Sequence, residues 1–190
     1  MVRLDKIYTR GGDKGKTSLG DGKRVKKNNL RVDVYGEIDE ANSTLGVAIA
    51  YCSPKMKKIL QKIQNDLFDL GADLCYPDSS KKKSLKISKQ YIDDLEGSID
   101  EINKTLDPLK SFILPGGQKS SAYIHYCRCV VRRAERKLVT LSEKEHIDKM
   151  VFQYLNRLSD FLFVAARFEN KKKGDILWKP GKEKLICDKE

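Results

Sequence analysis

The residues best equipped for chemistry begin at TRGGDKGKTS, positions 9–18. Gly11, Gly12 and Gly15 let backbone N–H groups approach an anion, while Arg10, Lys14, Lys16, Thr17 and Ser18 add cations and hydroxyls. Spacing speaks against a P-loop. Gly15-Lys16-Thr17 matches the end of that motif, but its first glycine would fall on Arg10. Downstream comes Leu19-Gly20-Asp21-Gly22, a turn sequence where a P-loop needs a helix. The plainer alternative is a solvated start to the chain.

Two further sets recur at helical spacing. In QKSSAYIHYCRCVVRRAERKLVTL, Arg128, Arg132 and Glu135 share a face with His125, flanked by Arg133 and Arg136. In YLNRLSDFLFVAAR, Asn156, Asp160, Phe163 and Arg167 form a stripe opposite Leu155, Leu158 and Leu162. Surface ion pairs worth about 0.2–0.5 kcal/mol each are the bland account of the arginines. A glycine-rich basic lead, an Asp39/Asn42 stripe and an arginine stripe could instead enclose a polyphosphate. His125 has only His146 for company, which argues against a histidine metal site. No general-base dyad or covalent nucleophile stands out. An enzyme of this kind would position reactants and neutralise charge, leaving the hard chemistry to a cofactor.

Elements must hold these groups in place. GEIDEANSTLGVAIAYC (36–52) sets Ile38, Ala41, Leu45, Ala48, Ile49 and Cys52 on one helical face, with Asp39, Asn42 and Gly46 beside it. Pro54 opens a second helix carrying Ile59, Ile63, Leu67, Leu70 and Leu74. A polar loop, 76–88, leads to Ser88 as N-cap of a third helix reaching about Leu106. Residues 109–117, LKSFILPGG, read as a short apolar extended piece. A fourth helix is expected over about 118–142 and a fifth over about 145–172. The result is an all-α antiparallel five-helix bundle with strand content near zero.

Composition bounds the function. The chain has 190 residues, enough for one domain with a sizeable core. Its net charge of +11 attracts polyanions. The runs GKRVKK (22–27), KKK (81–83) and KKK (171–173) lack interleaved aromatics, so nucleic acid is a minor alternative. Five cysteines without metal-type spacing read as reduced thiols of a cytoplasmic protein. No secretory leader or membrane span is expected.

Four stretches together carry a resemblance: KIYTRGGDKGKTSLGDGKRVKKNNLRVDVYGEIDEANSTLG, FILPGG, HYCRCVVRRAER and YLNRLSDFLFVAAR. In this order, over residues 6 to 168, they resemble the PduO-type ATP:cob(I)alamin adenosyltransferases. The resemblance implies a homotrimer of five-helix bundles with ATP between neighbouring subunits. The implied reaction moves the 5′-deoxyadenosyl group of ATP onto Co(I) of cobalamin, giving adenosylcobalamin and triphosphate. Residues 1–29 become an ATP-binding loop, 30–173 the bundle and 174–190 a tail. Thr9, Arg10, Gly11 and Gly12 would wrap the triphosphate, with Thr17 and Ser18 further along and Lys27 touching phosphate. Arg132, Arg133, Ala134, Glu135, Arg136 and Asn156 would bind ATP or its Mg²⁺. Arg128 would pair with Asp39 across the subunit boundary, and Phe112 would press on the lower face of the corrin.

Departures from the family pattern are small. Asn28-Asn29 stand where acidic residues are common, Gly11 replaces a common Thr or Asn, and Ala41 interrupts a usual DEL. The chain also lacks the Asp-x-His-x-x-Gly motif with which some cobalamin enzymes supply an axial histidine. A reductase and an adenosylcobalamin-dependent enzyme are implied partners. The rival readings are a non-catalytic ATP-binding regulatory bundle and a scaffold whose basic loops bind nucleic acid.

Overall fold

The computed structural model describes residues 7–77 and 85–181. Five helices carry the fold: α1 Leu30–Tyr51, α2 Pro54–Leu74, α3 Lys89–Asn103, α4 Lys119–Ser142 and α5 Lys149–Asn170. Their ends follow from local chemistry. Helix α1 begins six residues earlier than its apolar stripe suggests, because Asn29 caps it through the Arg31 N–H at 2.9 Å. This gives a structural reason for an asparagine at 29. Ser53 caps α2 and Pro54 takes its first position, where a missing N–H costs nothing. Asp148 caps α5 through the Met150 N–H, so that helix starts at 149 rather than 145. Ser88 is the residue before α3, as expected, but its hydroxyl makes no capping bond. Helix α3 stops at Asn103, short of Leu106. Of the polar loop, 78–84 lies outside the described residues.

Helix α1 packs against α2 and α4, α4 against α5, and α5 against α3. Lys137 meets Asp33, Arg133 meets Glu37, and the Cys127 thiol meets the Ala41 carbonyl, so α1 and α4 run antiparallel. Leu45, Leu67, Leu70, Ile124, Leu138, Leu155 and Phe161 are fully buried between the helices. Each such side chain contributes roughly 1.5–3 kcal/mol by leaving water. The sequence-predicted inner face of α1 is buried throughout; on α2 Ile63, Leu67, Leu70 and Leu74 are buried, Ile59 is half-buried, and Met56 and Leu60, which the pattern passed over, are fully buried.

Strand content is small but not zero, and it sits in the region of greatest chemical interest. β1 Lys16–Ser18 and β2 Arg24–Lys26 pair antiparallel, with Ser18 opposite Arg24. The turn between them closes on the Leu19 N–H to Lys23 carbonyl bond, with Gly22 at φ 89°. Such a turn needs glycine at its left-handed position. A two-stranded hairpin is marginal alone. This one is anchored: Leu19 is buried, the Gly20 N–H donates to the Cys75 carbonyl, and the Tyr76 ring covers Gly20 so closely that no Cβ would fit. An isolated β-bridge, Ile113 to Leu177, ties the FILPGG piece to the segment after α5. No described helix is long and apolar enough to cross a membrane.

Candidate functional site

The opening stretch is a braced turn. Arg10 adopts φ 58°, an unusual left-handed conformation for a side-chain-bearing residue, and its guanidinium lies 5.7 Å over the Tyr8 ring. Gly15 N–H donates to the Gly12 carbonyl, and Lys27 N–H to the Gly15 carbonyl. The Lys27 ammonium itself reaches back across Gly12, 3.2 Å from where a Cβ would stand. Thr9 stands beside Gly11. Thr17 hydrogen-bonds the Tyr35 phenol on α1, opposing the rise in its pKa caused by burial and the nearby Cys75 thiol.

Arg24 holds this turn in shape, and sequence reasoning passed over it as part of a charge run. Its guanidinium donates to the Gly11 carbonyl at 2.5 Å, to the Lys16 carbonyl at 3.3 Å and to the Ser18 hydroxyl at 3.3 Å. The signal was its place opposite Ser18, legible only once a hairpin is expected. Arg31 was missed as well. Only 2% exposed, it donates to the Leu74 carbonyl at 2.7 Å and the Tyr76 carbonyl at 3.2 Å, and grips Glu145 at 2.6 Å. It therefore fixes the very residues, 74–76, on which the hairpin rests.

Helix α4 presents the second group. His125 is buried and its Nδ1 has no partner among the described residues. Burial first, then the Arg128 charge, lower its pKa to about 4, so the ring is neutral near pH 7. Arg128 bonds weakly to the Cys129 sulfur, and its buried Nε has no partner. Arg132 and Arg136 are exposed, and Arg136 donates to the Arg132 carbonyl at 3.1 Å. Ala134 is buried in the α4 core face. Glu135 accepts from the Asn156 amide of α5 at 3.2 Å, at the edge of a cleft of about 480 Å³ also lined by Glu96 and Arg157.

Arg133 differs from its neighbours. It is tied to α1 through Glu37 at 2.5 Å and through Glu40. Those two carboxylates, Glu40 first, raise its pKa. Burial works against the Glu37 carboxylate, but bonds from Lys137 and Arg133 outweigh it and its pKa falls. Arg133 thus fastens α4 to α1 within the chain.

Asp39 is exposed on α1, lining with Asn42, Gln64 and Phe68 a groove of about 600 Å³. Within the chain, no hydrogen bond or ion pair among the described residues joins Asp39 to Arg128, or the 9–27 loop to the α4 arginines. Phe112 stands 78% exposed, touched edge-on by Trp178 with ring centroids 6.1 Å apart.

Comparisons with known proteins bear on the family and the fold. The family model described as cobalamin adenosyltransferase matches residues 7–169. A corrinoid adenosyltransferase of Mycobacterium tuberculosis (strain CDC 1551 / Oshkosh) is 47% identical over 95% of this chain and 96% of its own length. A corrinoid adenosyltransferase of Bacillus subtilis (strain 168) is 44% identical over 89% of each chain. Among solved structures, an F112A variant PduO-type ATP:corrinoid adenosyltransferase from Lactobacillus reuteri, complexed with cobalamin and ATP, superposes with a TM-score of 0.88. It is 38% identical, and the match covers 92% of this chain and 99% of that one. By sequence and by fold alike, this chain belongs to the cobalamin adenosyltransferase family.

Proposed function

We propose that the protein transfers the 5′-deoxyadenosyl group of ATP to Co(I) of cob(I)alamin. A Co–C5′ bond forms, the C5′–O bond breaks, and inorganic triphosphate leaves with the bonding pair. The observation that carries this reading is the likeness, over nearly the whole chain, to a structure that holds both cobalamin and ATP.

The active assembly is a homotrimer in which ATP lies between the 9–27 loop of one protomer and the α4 arginines of the next. The exposure of Arg132 and Arg136, and their lack of an acidic partner within the chain among the described residues, supports this division of labour. Lys27, Arg132 and Arg136 offset the charge that builds on the departing triphosphate, and the loop amides add fixed donors. Arg128, whose Nε goes unpaired within the chain among the described residues, meets Asp39 of the adjacent protomer. Glu135 would be the protein carboxylate to help hold a Mg²⁺ carried in with the nucleotide, and that ion would supply further neutralisation of the triphosphate. A hydrated ion carried mainly by phosphate suits a site where, among the described residues, no three His, Cys, Asp or Glu side chains cluster.

Phe112 would form an apolar wall on the lower corrin face. Keeping water off that face removes the axial ligand and lowers the orbital that accepts an electron, so that Co(II) becomes reducible by a partner reductase. The test is to mix the protein with ATP, Mg²⁺ and chemically reduced cobalamin. Growth of the adenosylcobalamin visible spectrum with equimolar triphosphate is expected. ATP binding without Co–C bond formation would instead identify a regulatory ATP-binding bundle.

A further inference from the structure

Phe112 is held by its backbone and by one ring, and both depend on a buried polar cluster at the end of α5. The Trp178 N–H donates to the Phe112 carbonyl at 2.8 Å, the Leu114 N–H to the Ile176 carbonyl at 2.8 Å, and the Ser111 hydroxyl to the Trp178 carbonyl at 3.1 Å. These bonds lay the segment after α5 alongside 111–114. What fastens that segment to the bundle is Asp175. It accepts from Arg167 Nε at 2.8 Å and from Asn170 Nδ2 at 3.3 Å. Arg167 is only 7% exposed and donates also to the Asp107 carbonyl at 2.7 Å. Asn170, 3% exposed, donates to the Gly174 carbonyl at 2.8 Å and accepts from the Gln118 N–H at 3.1 Å. Its side chain fills the space beside Gly117, which sits at φ 96°; a Cβ there would lie 2.6 Å from Asn170 Cγ.

We propose that Arg167, Asn170 and Asp175 form a latch that positions Phe112, by clamping the post-α5 segment and the Pro115–Gly117 turn in one fixed relation. The three are positioning residues, acting through Trp178 and the 111–114 backbone; none touches substrate. The need for such a latch follows from exposure. A ring left 78% in solvent has too few contacts to hold its own rotamer, so its aim must come from what carries it. Buried, mutually satisfied polar clusters supply that stiffness, and removing one partner strands the others. This inference rests on the reading in which Phe112 lies against the corrin.

Trp178 is the chain's single tryptophan, so its fluorescence reports on the latch directly. The experiment compares full-length wild type with Asp175→Ala and Phe112→Ala, in the presence of ATP and cob(II)alamin. Three quantities are read: acrylamide quenching of Trp178, the four-coordinate Co(II) fraction by electron paramagnetic resonance, and turnover from Co(II) against turnover from prereduced Co(I). Asp175→Ala should raise the quenching constant about twofold and lower Co(II) turnover about tenfold, short of the roughly hundredfold that a full ångström of misplacement can cost. Its Co(I) turnover and KM for ATP should stay within about twofold of wild type. Should Asp175→Ala fail to fold, Asp175→Asn is read in its place; it keeps the side-chain shape and loses the charge facing Arg167. Wild-type Co(II) spectra in the Asp175 variant, with Phe112→Ala altered, would overturn the latch alone. Loosened Trp178 with unchanged Co(II) behaviour would overturn it too. Unchanged Co(II) spectra in Phe112→Ala would instead overturn the underlying placement of Phe112.

Discussion

Lys27 lays its ammonium across Gly12, with Cε and Nζ each 3.2 Å from the point a Cβ would occupy. The loop and its cation are therefore one unit: the glycine is small so that the lysine can lie over the backbone amides. Gly12→Ala is expected to push Lys27 aside by a few tenths of an ångström and raise the KM for ATP about threefold, with kcat less affected. Steady-state kinetics with prereduced cobalamin check this. An unchanged KM would mean that Lys27 does not work from that position.

Arg31 should matter far more to stability than its place in a basic stretch suggests. Its removal leaves the buried Leu74 carbonyl, the partly buried Tyr76 carbonyl and the half-exposed Glu145 without their donor. Arg31→Ala is expected to cost about 2–3 kcal/mol, whereas Lys144→Ala on the exposed surface should stay within about 0.5 kcal/mol. Denaturant unfolding of the two variants provides the comparison.

His125 makes stability fall on acidification. Its pKa is lowered from 6.5 to about 4 by burial and by Arg128, with Asp175 pulling weakly the other way. Between those values the unfolded chain binds a proton that the folded chain refuses. Stability due to this group is therefore intact above 6.5 and declines as pH drops toward 4, with a slope of up to about 1.4 kcal/mol per pH unit. Replacing His125 by Gln should flatten this part of the profile, measured by unfolding between pH 4.5 and 7.

Arg128→Ala should leave Asp39 of the adjacent protomer without its cation. Adenosylation is expected to fall at least about a hundredfold while assembly, read by light scattering, is largely kept. Activity near wild type would remove Arg128 from the mechanism.

Most of the bundle was legible because its signal is periodic. Ile38, Leu45 and Leu67 sit where 3.6-residue spacing puts them, deep in the core. The ends were less so. Asn29 caps a helix whose opening, LRVDV, alternates apolar and polar residues as a strand would, and Asp148 caps one whose first turn, KMVF, sets apolar residues side by side instead of at helical spacing. The hairpin was unreadable from periodicity, since three-residue strands such as KTS and RVK offer no alternation long enough to detect. Its consequences, Arg24 over Gly11 and Ser18, were lost with it. Long-range partnerships were equally silent. Nothing local to Arg31 points to Leu74, and nothing local to Asn170 points to Gly117. Arg133 is the instructive middle case: the arginine stripe was seen, but only three-dimensional placement separates the arginine fastened to Glu37 from the exposed Arg132 and Arg136.

A nucleotide site shared between protomers can be tested by complementation. Lys27→Ala and Arg132→Ala chains, each expected to be nearly inactive alone, are co-expressed in equal amounts and purified as mixed trimers. A site built from the loop of one chain and α4 of the next is intact at one of the three interfaces of every mixed trimer, so adenosylation should return to about a third of wild type. No recovery, from mixed trimers shown to contain both chains, would contradict the account.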